Sequence, residues 1–136
     1  MPKWTQLLWR WLPAVLMMLI IFLFSAQPSS NLPNFDGLDR AVKKGGHILG
    51  YAILALTYWR GLKFKSDKRW VAWLLALLYA LSDEFHQSFV PGRGASLWDV
   101  MLFDNLGAVI ALWLGSSSVQ QKRPGAVPAG AEQAGP

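Results

Sequence analysis

Three groups of side chains capable of acid–base and charge chemistry interrupt a largely apolar chain. The densest is "LSDEFHQSFVPGRG", Leu81 to Gly94, where Ser82, Asp83, Glu84, His86, Gln87 and Arg93 follow the apolar run "WVAWLLALLYA". Upstream, "KKGGHILGYA" carries Lys44, His47 and Tyr51, and downstream "SLWDVMLFDNLG" carries Asp99, Asp104 and Asn105. In such a set a histidine, His47 or His86, oriented by the carboxylate of Asp83, Glu84 or Asp99, could act as a general acid or base, which makes those five the catalytic candidates. Arg93 can hold phosphate or carboxylate through two parallel donors, and Lys44 adds a point charge. No nucleophile motif or oxyanion arrangement accompanies them, so the residue types do not fix a reaction. A metal site is disfavoured, since the His, Asp and Glu positions lack compact ligand spacing and Lys44 and Arg93 would compete with the ion. Neither a metal nor a cofactor is expected.

The elements that position these groups follow from composition. The chain has 136 residues, 53% apolar and 15% charged, a balance that favours a single membrane domain over a soluble one. Cysteine is absent, which excludes disulfides and thiolate chemistry. The net charge of +5 does not point to nucleic acid, because the basic residues sit in short groups between apolar runs. Those runs are Leu8 to Ala26, Gly46 to Trp59 (extended to Val42 and Leu62 to reach spanning length), Trp70 to Phe89 and Leu97 to Leu114. They predict an all-α integral membrane bundle of four transmembrane helices over residues 1–115. The first run follows Lys3 and Arg10 as a signal peptide would, but its core is long and "FSAQPSSN" offers no small-x-small cleavage site, so an uncleaved helix is expected. Pro13 is placed near the first turn of that helix, where a missing donor matters little. Residues 116–136, rich in Gly, Pro, Ser and Ala, read as a disordered cytoplasmic tail.

Lysine and arginine set the orientation. With both termini inside, the cytoplasmic side holds nine (Lys3, Arg10, Arg60, Lys63, Lys65, Lys68, Arg69, Lys122, Arg123) and the outer side four (Arg40, Lys43, Lys44, Arg93). This N-in, C-in topology brings all three polar groups to the outer half of the membrane. Ionisable residues at that depth are costly and usually face the bundle interior with partners. Lys44, His47 and Tyr51 share a helical face by their spacing of three and four; Asp83 is likewise spaced to meet His86 and Gln87, and Glu84 to meet Gln87. Lys44 and Arg93 are expected opposite the carboxylates, with Arg93 carried over the mouth of the bundle by a "VPGRG" reversal in which Pro91 presets φ and Gly92 and Gly94 are free to take positive φ.

Each feature also has a plainer reading. Gly46-x-x-x-Gly50 suits close helix packing, His47 an interhelical hydrogen bond, and Asp99 the start of a helix. Those readings leave Asp104 and Asn105 inside an apolar span, and the one-sided clustering, without a reason.

The string Lys44-x-x-His47-x-x-x-Tyr51, then Ser82-Asp83-Glu84-x-His86-Gln87-x-Phe89-x-Pro91-Gly92-Arg93, then Ser96-x-x-Asp99 leading to Gly107, resembles the VanZ-like family of small bacterial membrane proteins. The resemblance covers about Phe22 to Leu114. It implies a multi-helix protein of the bacterial cytoplasmic membrane, in a family associated with low-level resistance to the glycopeptide teicoplanin. An Asn or Asp about three residues before the family's glycine corresponds to Asp104 or to its neighbour Asn105. The expected function is a site on the extracytoplasmic side that binds or modifies an anionic or polyprenyl-linked envelope molecule. Its partner is a membrane lipid or lipid-linked envelope precursor, and its ligand-binding candidates are Lys44, His47, Tyr51, Ser82, Asp83, Glu84, Gln87, Arg93, Asp99, Asp104 and Asn105. The alternative is a structural or partner-docking membrane protein with the polar set as interhelical glue. Ion or proton transport is a weaker third, because the inner halves of the runs hold almost no polar residues.

Overall fold

The computed structural model describes residues 2–31, 39–94 and 96–121, which form four helices and no strand. Helix α1 is Lys3–Ser25, α2 Asp39–Gly61 and α3 Arg69–Gln87. Helix α4 opens with Leu97–Asp99, widens into a π-helical turn at Val100–Asp104 and continues as regular α-helix over Asn105–Gln121. It therefore runs past Gly115, where the tail was expected to begin. The remainder of that expected tail, with Lys122 and Arg123, lies outside the described residues.

Among the described residues two segments are long and apolar enough to cross a membrane: Lys3–Ser25 and Val100–Ser118, of 23 and 19 residues. At 1.5 Å per residue they extend about 35 and 28 Å, close to the thickness of a hydrocarbon core. Helices α2 and α3 match them in length, with 23 and 19 residues, but carry the charged groups that lower their apolar character. Helix α1 buries only Ala14 and Ser25 and leaves large apolar side chains such as Trp4, Leu8, Trp9 and Phe24 exposed. A helix apolar all round with so little of it buried in protein is suited to lipid contact.

Helix α2 is the centre of the bundle, packed against α1, α3 and α4, and supplies the largest buried side chains, Tyr51, Leu54 and Trp59. Small residues let its neighbours approach. On α3 the buried alanines Ala72, Ala76 and Ala80 recur every four residues, and the next position on that ridge is Glu84. The seam that packs the helix thus carries the acid inward. On α4 the corresponding ridge is Gly107, Ala111 and Gly115. A Cβ on Gly107 would collide with the backbone of Ile48, and one on Gly115 would lie 3.0 Å from the Trp59 ring. Close packing was expected instead at Gly46-x-x-x-Gly50. Gly46 has nothing within 4 Å of its Cβ position and Gly50 meets only Ile21 at ordinary contact distance, so that pair does not set a close crossing.

Pro13 lies well inside α1, because the helix begins at Lys3 rather than near Leu8. Its missing N–H leaves the Trp9 carbonyl without an intrahelical donor. Arg60 of α2 takes over, with Nη1 donating to the carbonyls of Trp9 (3.0 Å) and Arg10 (2.9 Å), while Arg10 Nη2 donates to the Gly61 carbonyl at the end of α2 (2.9 Å). The two arginines fasten the α1–α2 end opposite to the polar groups. Beyond Gly61 the chain reverses in a Schellman motif. Lys63 (φ 61°) and Phe64 (φ 52°) are left-handed, Phe64 N–H reaches the Trp59 carbonyl at 2.9 Å, and the two rings meet edge to face at 5.2 Å. In the α3–α4 reversal Gly92 uses its freedom, with φ 74°, and Gly94 does not adopt positive φ.

Candidate functional site

At the opposite end of the bundle, the last turn of α1, the first half of α2, the last turns of α3 and the π turn of α4 meet around two carboxylates. Asp83 is 4% exposed, on the face of α3 beside the alanine ridge. Its Oδ2 accepts from Ser25 Oγ (2.7 Å), Tyr51 OH (3.2 Å) and Gln87 Nε2 (2.9 Å), so donors from three helices converge on one oxygen. Gln87 Nε2 also donates to Ser25 Oγ at 3.1 Å, which closes the network. Among the described residues no hydrogen-bonding group engages the other oxygen, Oδ1, although it is buried.

The second carboxylate is Asp104, 3% exposed, at the end of the π turn. Its Oδ1 is 3.2 Å from His47 Nδ1, and the His47 side chain remains 28% exposed. An ionised carboxylate only accepts, so Nδ1 carries the proton and Nε2 is the nitrogen left for other chemistry. Tyr51 links the two centres: its hydroxyl is on Asp83 and its ring lies nearly parallel to the His47 ring, centroids 6.2 Å apart.

The remaining expected residues divide between this core and its frame. Lys44 Nζ stands 4.3 Å from the centre of the Phe103 ring, a cation–π contact beside Asp104. Asn105 accepts from Trp73 Nε1 at 2.6 Å, so the neighbours Asp104 and Asn105 serve different helices, α2 and α3. Glu84 accepts the backbone N–H of Ser96, tying the end of α3 to the start of α4. Arg93, expected over the mouth opposite the carboxylates, instead donates to the carbonyls of Phe24 and Gln27 at the end of α1, the latter at 3.1 Å. The Phe24 carbonyl also accepts the Gln27 N–H at 3.3 Å, so Arg93 adds a second donor at the C-terminal end of α1, where a guanidinium fork suits the helix dipole. Burial lowers the pKa of Arg93, while the charges of Asp83 and Glu84 act in the opposite sense. His86 is spaced to meet Asp83, but its ring packs on Phe22 of α1 at 4.7 Å and its buried Nε2 has no partner among the described residues. Ser82 turns back to the Tyr79 carbonyl at 2.8 Å and stands apart from the cluster. Asp99 occupies the first turn of α4, and its side chain lies outside the described residues.

Sequence reasoning missed Ser25, Trp73 and Phe103 as members. Ser25 had a readable signal, a lone hydroxyl at the C-terminal end of an apolar span. Trp73 and Phe103 resemble every other interfacial aromatic in the chain and had none. Among the described residues no three His, Asp or Glu side chains are grouped as a metal would require.

Neither the curated proteins nor the solved structures contain a match to this chain. A family model described as VanZ/LLP1 matches residues 10–118, a span that takes in α2 and α3, most of α1 and α4, and every residue of the polar cluster. The chain, a membrane protein by its apolar helices, belongs to the VanZ/LLP1 family.

Proposed function

We propose that the four helices all span the cytoplasmic membrane with both termini inside, and that the cluster around His47 and Asp104 binds an anionic or polyprenyl-linked envelope molecule from the extracytoplasmic side. The nine-to-four basic asymmetry supports the topology. Cysteine labelling on this cysteine-free background tests it: a Ser66→Cys variant should resist an impermeant thiol reagent in intact cells and react after permeabilisation. Labelling from outside would reverse the orientation and move the cluster to the cytoplasmic side.

The observation that carries the binding reading is the His47–Asp104 pair. A deeply buried carboxylate from one helix orients a partly exposed imidazole on another and leaves Nε2 uncommitted, an acceptor for proton transfer in the neutral ring and an N–H donor to an incoming phosphate in the imidazolium that Asp104 stabilises. Interhelical glue does not require its histidine to be accessible. Glue is nonetheless the reading favoured by a different observation, the satisfaction of Asp83 Oδ2 wholly by protein donors. Two substitutions separate them. His47→Gln and Asp104→Asn preserve size and some hydrogen bonding, so protein yield and monodispersity should stay within about twofold of wild type, while copurifying anionic or polyprenyl lipids, counted by native mass spectrometry, should fall about tenfold, the worth of one charge-assisted contact. Unchanged lipid retention, or collapse of the protein in both variants, would leave glue as the function of the pair. A link to glycopeptide resistance predicts in addition that the wild-type chain raises teicoplanin tolerance in a susceptible host and that His47→Gln does not.

A further inference from the structure

The two oxygens of Asp83 are treated very differently by the fold. Oδ2 collects Ser25, Tyr51 and Gln87, while Oδ1, equally buried, is engaged by no hydrogen-bonding group of the described residues. A buried acceptor left unsatisfied is costly, and more so when it belongs to a charged group. A carboxylate serving only as glue would lower that cost by sharing its donors between both oxygens. Here donors from α1, α2 and α3 converge on one oxygen, which fixes the plane of the carboxylate and leaves the other with a single defined direction.

A second uncommitted atom lies one turn along α3. His86 Nε2 is buried without a described partner, and its ring sits on Phe22, one turn from Ser25 on α1. The α1–α3 seam thus holds two polar atoms that the fold leaves open, next to a network reaching His47 through Tyr51.

We propose that Asp83 Oδ1 is the subsite for a hydrogen-bond donor of the bound headgroup, a hydroxyl or a primary ammonium, in a molecule whose phosphate is met by His47. The assignment rests on the reading of His47 as the ligand-facing residue and adds the chemistry that selects among phospholipid-like ligands. Tyr51, hydrogen-bonded to Asp83 and lying parallel to the His47 ring, joins the two contacts. The ligand class that would use both is a phosphodiester with a donor-bearing arm. An arm ending in a quaternary ammonium has the same phosphate and a positive charge but no N–H or O–H to offer.

The test uses the full chain, delipidated in detergent and titrated separately with phosphatidylglycerol, phosphatidylethanolamine and phosphatidylcholine of identical acyl chains, with binding read by native mass spectrometry. Phosphatidylglycerol, phosphatidylethanolamine or both should bind about tenfold tighter than phosphatidylcholine, because a hydrogen bond to a charged group is at stake. In Asp83→Asn the three protein donors keep a carbonyl oxygen to converge on, while the subsite atom becomes an amide donor. A hydroxyl can rotate and accept from it, so a phosphatidylglycerol preference should weaken, whereas a phosphatidylethanolamine preference should vanish. Equal binding of all three lipids by the wild type would overturn the subsite and leave Oδ1 a buried acceptor with no role in headgroup selection. So would a preference that survives Asp83→Asn at full strength. The wild-type series needs no variant to fold, and failure of every lipid to bind would count instead against the reading of His47 on which the subsite depends.

Discussion

Gly107→Ala is expected to separate α2 from α4 and lower the thermal unfolding midpoint of the detergent-solubilised protein by on the order of 10 °C, about 3 kcal/mol for a domain of this size. The added Cβ would sit against the Ile48 main chain, 3.0 Å from its carbonyl carbon and 3.1 Å from its Cα, and closer still to the carbonyl oxygen. Backbone cannot rotate away as a side chain end can. One of the two helices must move, and the movement is transmitted to His47, one residue before Ile48, and to Asp104, three before Gly107. The variant should therefore lose lipid retention even in the fraction that stays folded. Gly46→Ala is the matched control: nothing stands within 4 Å of its Cβ position, so the midpoint should hold or rise slightly through helix propensity. Midpoints measured by fluorescence-detected size-exclusion chromatography decide the matter. An equal drop in both variants would mean that general intolerance of helix substitution, and not the α2–α4 crossing, governs stability.

Asp83→Leu should be the most damaging single change in the cluster. It removes the acceptor shared by Ser25, Tyr51 and Gln87 and strands the Tyr51 hydroxyl in a buried position. Interhelical hydrogen bonds in membrane bundles average ~0.6 kcal/mol and reach ~1.7, so three together amount to roughly 2 to 5 kcal/mol. Asp83→Asn should lose far less, since its carbonyl oxygen can serve the same donors. A double variant gives the sharper reading: Tyr51→Phe should cost stability in the wild-type background and almost none once Asp83 is leucine, because the partner is already gone. If Tyr51→Phe costs the same in both backgrounds, the Tyr51–Asp83 bond contributes nothing to stability.

How much of this was legible in the chain itself can be seen residue by residue. The all-helical architecture, the four helices in their order, and the gathering of Lys44, His47, Tyr51, Asp83, Gln87 and Asp104 at one end follow from apolar run length and from spacings of three and four, both local properties of a helix, although α1 starts before its apolar run and α4 continues past its own. The same local logic reaches the Asp83–Gln87 bond, since those residues are four apart on one helix. It fails where a partner is chosen across helices. Arg93 was expected to face carboxylates; the charges of Asp83 and Glu84 do act on it, but its hydrogen bonds go to the carbonyls at the end of α1, acceptors that no charge pattern displays.

The division between Asp104 and Asn105 is the clearest instance. Sequence marks both as polar residues in an apolar span and cannot say which meets His47. The π turn at Val100–Asp104 changes the rotational phase of α4, so a regular 3.6-residue count misplaces every side chain after it. In the same way, glycine spacing pointed to Gly46 and Gly50, whereas the close crossing falls at Gly107. A glycine permits close approach but does not specify which backbone approaches it. What the sequence determined by itself was the set of polar groups, their helices and their common end. Which oxygen each donor takes, which histidine stays accessible and which glycine bears the contact were decided by tertiary packing, because those choices depend on the relative rotation of helices that are distant along the chain.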